Sequence, residues 1–254
     1  MNFKTVKDTI LYYLSVPKCV GCGTRLSINE GPLCSVCLEE YENVKERNCS
    51  ICAKRLEMCT CSNKYLEAHY VRKLVKVYRY VHRDDLPTNR LIYSLKRDNR
   101  KDVLDFLTDE LASALSNSVN NLDECVFVNV PRRRKTALKY GIDHAQLLAK
   151  SLAKRFSAVH YQPLVSKTKR AQKKTFGSER IKNAEFSLKR KAKSLKGKTV
   201  IIVDDIVTTG ASMGACAALI RALGTKKIIG AAISIAYKDK YIPINKNDRF
   251  YPEK

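Results

Sequence analysis

Between residues 199 and 212 the chain reads Thr-Val-Ile-Ile-Val-Asp-Asp-Ile-Val-Thr-Thr-Gly-Ala-Ser, and few folds accommodate that string. Five apolar or β-branched residues in a row, too few for an ordinary helix and closed by two carboxylates, predict a strand buried on both faces. Asp204 and Asp205 then stand at its carboxyl end, Thr208-Thr209-Gly210 make a turn, and the Ala and Leu spacing from Ser212 to Leu223 suits a helix packed on a sheet. In open α/β sheets ligands bind just beyond the carboxyl ends of strands, and the free N–H groups of a helix start favour an anion. A phosphate fits the turn. The carboxylates would repel it, but they accept hydrogen bonds from vicinal hydroxyls or work with a magnesium ion. Phosphate and diol together describe a ribose 5-phosphate.

The string Asp204-Asp205-Ile206-Val207-Thr208-Thr209-Gly210 after an apolar strand resembles the phosphoribosyl pyrophosphate (PRPP) motif of the type I phosphoribosyltransferases. That resemblance implies that Asp204 and Asp205 hold the ribose hydroxyls, with Mg2+ accompanying PRPP. It also implies that Thr208, Thr209, Gly210, Ala211 and Ser212 wrap the 5-phosphate.

Eight of the ten cysteines fall between Cys19 and Cys61, spaced Cys19-x2-Cys22-x11-Cys34-x2-Cys37 and Cys49-x2-Cys52-x6-Cys59-x-Cys61. Two cysteines three apart on a tight knuckle can turn both thiolates toward one ion, and two knuckles close a tetrahedral zinc site. Gly21 and Gly23 permit the first knuckle. Sequential pairing into two structural zinc sites is the simplest assignment; interleaved pairing and a single site with spare thiols stay open, because Cys59-x-Cys61 is unusually tight. A disulfide framework competes, but the N-terminus lacks a signal peptide's apolar stretch, so a reducing cytoplasm is expected. So short a segment with few large apolar side chains needs metal to fold. The other two, Cys125 and Cys216, read as small core residues.

The rest alternates strand and helix, which predicts a parallel sheet. Residues 3–15 read as a short amphipathic helix ended by Pro17. Val71 to Val81 alternate as a strand, with Leu74, Lys76, Tyr78 and Tyr80 in one phase. Helical patterns follow Pro87 and run from Val103 to Leu115. Cys125 to Pro131 form a second buried strand, a helix follows with Leu147, Leu148, Leu152 and Ala153 inward, and Lys227 to Tyr237 give the last strand. The domain division expected is 1–66 for the helix and double zinc-ribbon-like module and 67–254 for the α/β domain. No apolar run reaches the roughly 18 residues that span a bilayer, so membrane insertion is not expected.

Arg132, Arg133, Arg134 and Lys135 follow the second buried strand, on the same edge as Asp204 and Asp205 if the strands are parallel. There they could neutralise a pyrophosphate, as the loop at this place does in type I phosphoribosyltransferases; a solvated charge run is the competing reading. With the cysteine module the likeness narrows to the ComF family of competence-associated, phosphoribosyltransferase-like proteins. Where that family has an Arg-Gly-Phe-Asn-Gln-Ala-like string, this chain keeps Gly141 and Ala145 but has Tyr140, Ile142, Asp143 and His144. Lys169-Arg170-Ala171-Gln172 and Arg180-Ile181-Lys182-Asn183 match a second family string, which implies that Arg170, Gln172, Arg180 and Asn183 belong to a mobile segment near the ligand.

Charge is distributed unevenly. Residues 132–198 carry 21 Lys and Arg against 3 Asp and Glu, whereas residues 1–66 carry 9 against 7. Such local basicity fits a polyanionic partner, or a solvated loop of a lysine-rich protein. Two functions follow from the resemblance. The first is assistance to single-stranded DNA uptake or processing in natural transformation, with a competence helicase or recombination proteins as partners. The second is transfer of ribose 5-phosphate from PRPP to a nucleobase or other acceptor. Purine-salvage relatives carry an aspartate where this chain has Thr208, which is no general base.

Overall fold

The computed structural model of the chain describes residues 17–27, 30–81, 86–132, 143–166 and 186–236. The readings for residues 3–15, for Arg133, Arg134 and Lys135, for Arg170, Gln172, Arg180 and Asn183, and for the tail lie outside these residues. In chain order the elements are α1 (Ser35–Lys45), a 3-10 turn (Leu56–Met58), α2 (Lys64–Ala68), β1 (Val71–Arg79), α3 (Pro87–Arg97), α4 (Lys101–Ser116), a second 3-10 turn (Leu122–Glu124) and β2 (Val126–Asn129). They continue with α5 (His144–Arg155), β3 (Val159–His160), β4 (Leu164–Ser166), β5 (Phe186–Leu188), β6 (Thr199–Val207), α6 (Ala211–Arg221) and β7 (Lys227–Ile235).

Local chemistry sets several of these limits. Pro87 opens α3, where its missing N–H costs nothing, and Lys96 and Arg97 close it against the negative end of the helix dipole. Asp143 caps α5 by accepting from Gln146 N, at 3.1 Å. Asn63 caps α2 through Leu66 N, at 2.8 Å.

Five strands form one sheet in the order β1-β7-β6-β2-β3, every neighbour parallel. The strand at 71–79 is present, but its two phases are not distinguished by burial: Leu74 to Tyr78 are all buried. The reason is that both faces of β1 are covered and its exposed edge is partly occupied. Leu74 N donates to Thr60 O at 3.0 Å, so the cysteine-rich segment gives a backbone partner to a strand at the sheet's end. Apart from this sheet, β4 and β5 pair as an antiparallel ribbon, an element that the alternation of strand and helix does not predict.

Two apolar clusters lie on opposite faces. One joins Val75, Val77, Ile201 and Val203 to α3, α4 and α5 and to Cys19, Cys37 and Tyr41 of the cysteine-rich segment. The other joins Leu74, Ile202 and Ala232 to α6 and to Cys49, Leu56 and Cys59. The cysteine-rich segment thus contributes to both cores. Tyr41, fully buried, packs edge-on to Tyr78 and Phe106 with centroids 5.7 and 5.2 Å away and donates to Glu110 at 2.9 Å.

From β2 the chain runs through α5 outward to β3, whereas from β6 it runs through α6 the other way to β7. The adjacent carboxyl ends of β2 and β6 therefore form a topological switch point, where a crevice opens between diverging connections.

Candidate functional site

At this switch point β6 outlasts its neighbour. The β2 ladder ends at Asn129, paired with Val203, and β6 continues through Asp204 and Asp205 to Val207. The two aspartates therefore belong to the strand itself, with no turn before them. Consecutive strand residues face opposite sides. Asp205 makes an ion pair with Lys96 of α3 at 2.9 Å, and the charge of Asp204 is felt by Cys216 on α6. Each carboxylate also accepts the next amide: Asp204 Oδ1 takes Asp205 N at 2.9 Å, and Asp205 Oδ1 takes Ile206 N at 2.7 Å. Desolvation first, and the Asp205 charge second, hold the Asp204 carboxyl well above the usual carboxylate range.

The turn expected at Thr208-Thr209-Gly210 follows directly, and α6 begins at Ala211. Gly210 has φ +84°, in the region that favours glycine, and as the N-cap residue it has no side chain with which to cap the helix. Thr209 Oγ1 accepts from Ala211 N at 3.3 Å. An uncapped helix start leaves amide donors for an anion.

Beyond β2, Arg132 lies on the same rim. Its Nη1 donates to His144 Nδ1 at 2.8 Å, and His144 Nε2 meets Asn99 Oδ1 at 3.1 Å. Since the guanidinium only donates, Nδ1 accepts and the ring proton sits on Nε2. Burial, then the Arg132 charge, hold His144 below the usual histidine range, consistent with a neutral ring. Asp143 Oδ2 accepts from Arg132 N at 3.1 Å while Oδ1 caps α5. Asp143 and His144, two of the four residues at which this chain differs from the family string, thus fasten Arg132 between β2 and α5.

The eight clustered cysteines form two quartets in sequence order, Cys19, Cys22, Cys34 and Cys37, and Cys49, Cys52, Cys59 and Cys61. Within each quartet all Sγ atoms lie within 4.8 Å of one another. Zn–S bonds of about 2.3 Å place tetrahedral sulfurs about 3.8 Å apart. Cys22 and Cys34 are 3.7 Å apart and Cys52 and Cys59 3.5 Å, so four soft thiolate donors fit zinc and both quartets could hold an ion. Backbone amides support the sulfurs: Cys34 N to Cys19, Ile51 N to Cys49 and Cys61 N to Cys59, at 3.3, 3.4 and 3.3 Å. A hydrogen bond with Thr24 lowers the Cys22 thiol to about 6 and the Lys54 backbone lowers Cys52 to about 7, whereas burial pushes Cys61 up to about 12.

Lys76 was the residue least anticipated here. Its side chain is buried, and Nζ donates to Cys59 Sγ at 3.1 Å, Cys61 O at 2.6 Å and Leu74 O at 3.3 Å. One cation thus offsets part of the second quartet's negative charge and ties it to β1. A lysine in phase with Leu74 and Tyr78 was the available signal. Asn99 and Asn63 carried no comparable one.

The Phosphoribosyl transferase domain family matches residues 143–254. "Competence protein F" of Haemophilus influenzae is 25% identical over 222 residues, covering 83% of this chain and 93% of that protein. The chain is a ComF-like protein related to the type I phosphoribosyltransferases. A ribose-phosphate pyrophosphokinase of Thermococcus kodakarensis is 44% identical over 57 residues, 22% of this chain and 20% of that enzyme. Among solved structures, adenine phosphoribosyltransferase from Saccharomyces cerevisiae aligns at 18% identity and TM-score 0.37, covering 54% of this chain and 71% of that one. Among the described residues no helix is long and apolar enough to cross a membrane.

Proposed function

We propose that the rim of β6 and β2 binds PRPP. Asp204 and Asp205 take the ribose hydroxyls together with Mg2+. The amides and hydroxyls of Thr208, Thr209, Gly210, Ala211 and Ser212 take the 5-phosphate. Arg132 takes the pyrophosphate, with Arg133, Arg134 and Lys135 beside it in sequence; Arg170, Gln172, Arg180 and Asn183 are assigned to the ligand by resemblance alone. The observation that carries this reading is the convergence of an acidic pair, an uncapped glycine-started helix and an oriented arginine at one switch point. Each group suits a different part of one sugar phosphate. Calorimetric titration of PRPP with Mg2+ into the full chain is expected to give saturable binding that requires the metal. Absence of binding would overturn the site.

The chemistry at hand supports recognition of the ligand more directly than its transfer. Among the described residues around the rim, Thr208 offers no base and His144 is engaged at both nitrogens. We therefore place the protein with a cytoplasmic, ComF-type role in handling single-stranded DNA during natural transformation, alongside a helicase or recombination proteins, with PRPP as a sensed ligand. Structural zinc, one ion in each quartet, holds the N-terminal module. Transfer of ribose 5-phosphate to an acceptor is the second reading, favoured by the complete acidic pair. Exposed Lys189, Arg190, Lys191, Lys193, Lys196 and Lys198 support a nucleic-acid contact. For each phosphate contacted, single-strand affinity falls by about 0.7 logarithmic units per tenfold rise in salt, so about five contacts predict roughly a 100-fold loss over the fourfold rise from about 50 to about 200 mM. Salt-independent binding of an oligothymidylate would remove the DNA role.

A further inference from the structure

The second quartet is joined to the ribose-phosphate loop by only a few residues. Two positions after Cys61, Asn63 caps α2, and its side chain works in two directions. Oδ1 accepts from Leu66 N at 2.8 Å, and Nδ2 donates to Thr209 O at 3.2 Å, across 146 residues of sequence. An amide placed between an N–H and a carbonyl has one orientation that satisfies both, so the donor end faces the loop. Leu66, fully buried, fills the space where a Cβ on Gly210 would sit, 2.7 Å from Leu66 Cγ. Further along α6, Tyr65 and His69 stack at 4.2 Å and lie over Gly214, whose added Cβ would meet Tyr65 Cε1 at 2.9 Å and His69 Cβ at 3.2 Å. The small residues of the loop and of the first turn of α6 are thus shaped to the underside of α2.

A five-residue helix does not persist on its own. The underside of α2 packs on the loop and α6, and the segment that leads into it from the quartet is fixed on β1, where Lys76 Nζ donates to Cys61 O and Leu74 N to Thr60 O. We propose that Asn63 is a positioning residue for the loop 208–212, seated by the second cysteine quartet, so that metal held there sets the shape of the phosphate cradle. The proposal rests on reading that loop as the 5-phosphate site. In it the N-terminal module is part of the ligand site's support as well as a neighbour to it. The position of the Thr209 carbonyl, fixed from below by Asn63 Nδ2, helps decide which way the peptide plane of the loop presents its amides.

The test compares the zinc-loaded full chain with Asn63→Asp and Asn63→Ala by amide hydrogen exchange. Aspartate keeps the α2 cap but has no donor for Thr209 O, whereas alanine loses both. A cap-only role predicts that Asn63→Asp matches wild type. The positioning role predicts exchange about tenfold faster across 206–214 in both variants, with β2 and β7 unchanged and zinc content equal to wild type. It also predicts that chelation of zinc accelerates the same segment, and that PRPP, where wild type binds it, binds Asn63→Asp about tenfold more weakly. Wild-type exchange at 206–214 in Asn63→Asp, acceleration spread over the whole sheet, or unchanged PRPP affinity would overturn the proposal. If wild type binds no PRPP, the functional reading fails while the exchange result still decides the role of Asn63.

Discussion

Asp204→Asn is expected to weaken PRPP binding by about 10- to 100-fold, the usual range for losing a charge-assisted hydrogen bond to a ligand hydroxyl, and to make the unliganded protein more stable. The two effects share one cause. Asp204 is desolvated and stands beside Asp205, so its charged form is unfavourable in the fold and its carboxyl titrates well above the usual range. A carboxyl whose folded value is raised contributes stability that is complete below its unfolded value, near 4, and is lost as pH rises through the folded value. At neutral pH the wild-type chain therefore has that contribution diminished or absent. The neutral amide, which no longer repels Asp205, should recover on the order of 1 kcal/mol, or about 2–4 °C in thermal midpoint for a chain of this size. Wild type should also gain stability on mild acidification in a way that Asp204→Asn does not. Asp205→Asn should differ in sign, because it leaves Lys96 without its ion-pair partner. Scanning calorimetry of both variants across pH, beside PRPP titrations, checks the set. A lowered midpoint for Asp204→Asn with binding intact would mean that the carboxylate serves the fold and not the ligand.

What could be read from the amino-acid order was what is encoded locally. The strand 199–207, its acidic end, the glycine turn and the helix beyond all lie within one short stretch, so period and residue type sufficed to describe them. The two quartets were equally accessible, because a knuckle is a short-range object; the structure groups the thiols in sequence order. The supporting shell was not legible. Lys76 reaches Cys59 because a strand and a cysteine-rich loop are packed together, and nothing in the spacing selects that pair. His144 meets Asn99 from 45 residues away, and Asn63 meets Thr209 from 146. Each depends on one polar atom in a tertiary contact, with no periodicity to betray it. The ribbon of β4 and β5 was missed for a different reason: three-residue strands in a lysine-rich connection offer too little apolar alternation to register. Burial of both phases of β1 likewise followed from what covers the strand, not from the strand.

Cys59→Ser should have the largest effect on stability. Cys59 is 1% exposed and belongs to the same apolar cluster as Ile202 and Ala232 of the central sheet. Serine offers a hard oxygen on a shorter bond where a soft thiolate is required, so the second quartet should lose its zinc. The ammonium of Lys76, also 1% exposed, would then keep only the carbonyls of Cys61 and Leu74 and lose its anionic partner. Breaking a buried charge pair by removing one member costs about 3–5 kcal/mol, before the metal's own contribution to folding is counted. The midpoint should therefore fall by about 10 °C or more, and the chain should purify with one zinc fewer. Cys22→Ser is the informative contrast. Cys22 is exposed and meets Thr24 and Cys34, with no buried cation bonded to it among the described residues, so its replacement should also lose one zinc but leave the sheet's transition much closer to wild type. Replacing Lys76 by methionine together with Cys59→Ser separates the contributions, because removing both charges abolishes the unpaired ammonium while the metal stays absent. Recovery of several degrees in the double variant would assign the excess loss to the stranded cation. Wild-type zinc content and midpoint in Cys59→Ser would instead show that the second quartet holds no metal and that Lys76 is satisfied by carbonyls alone.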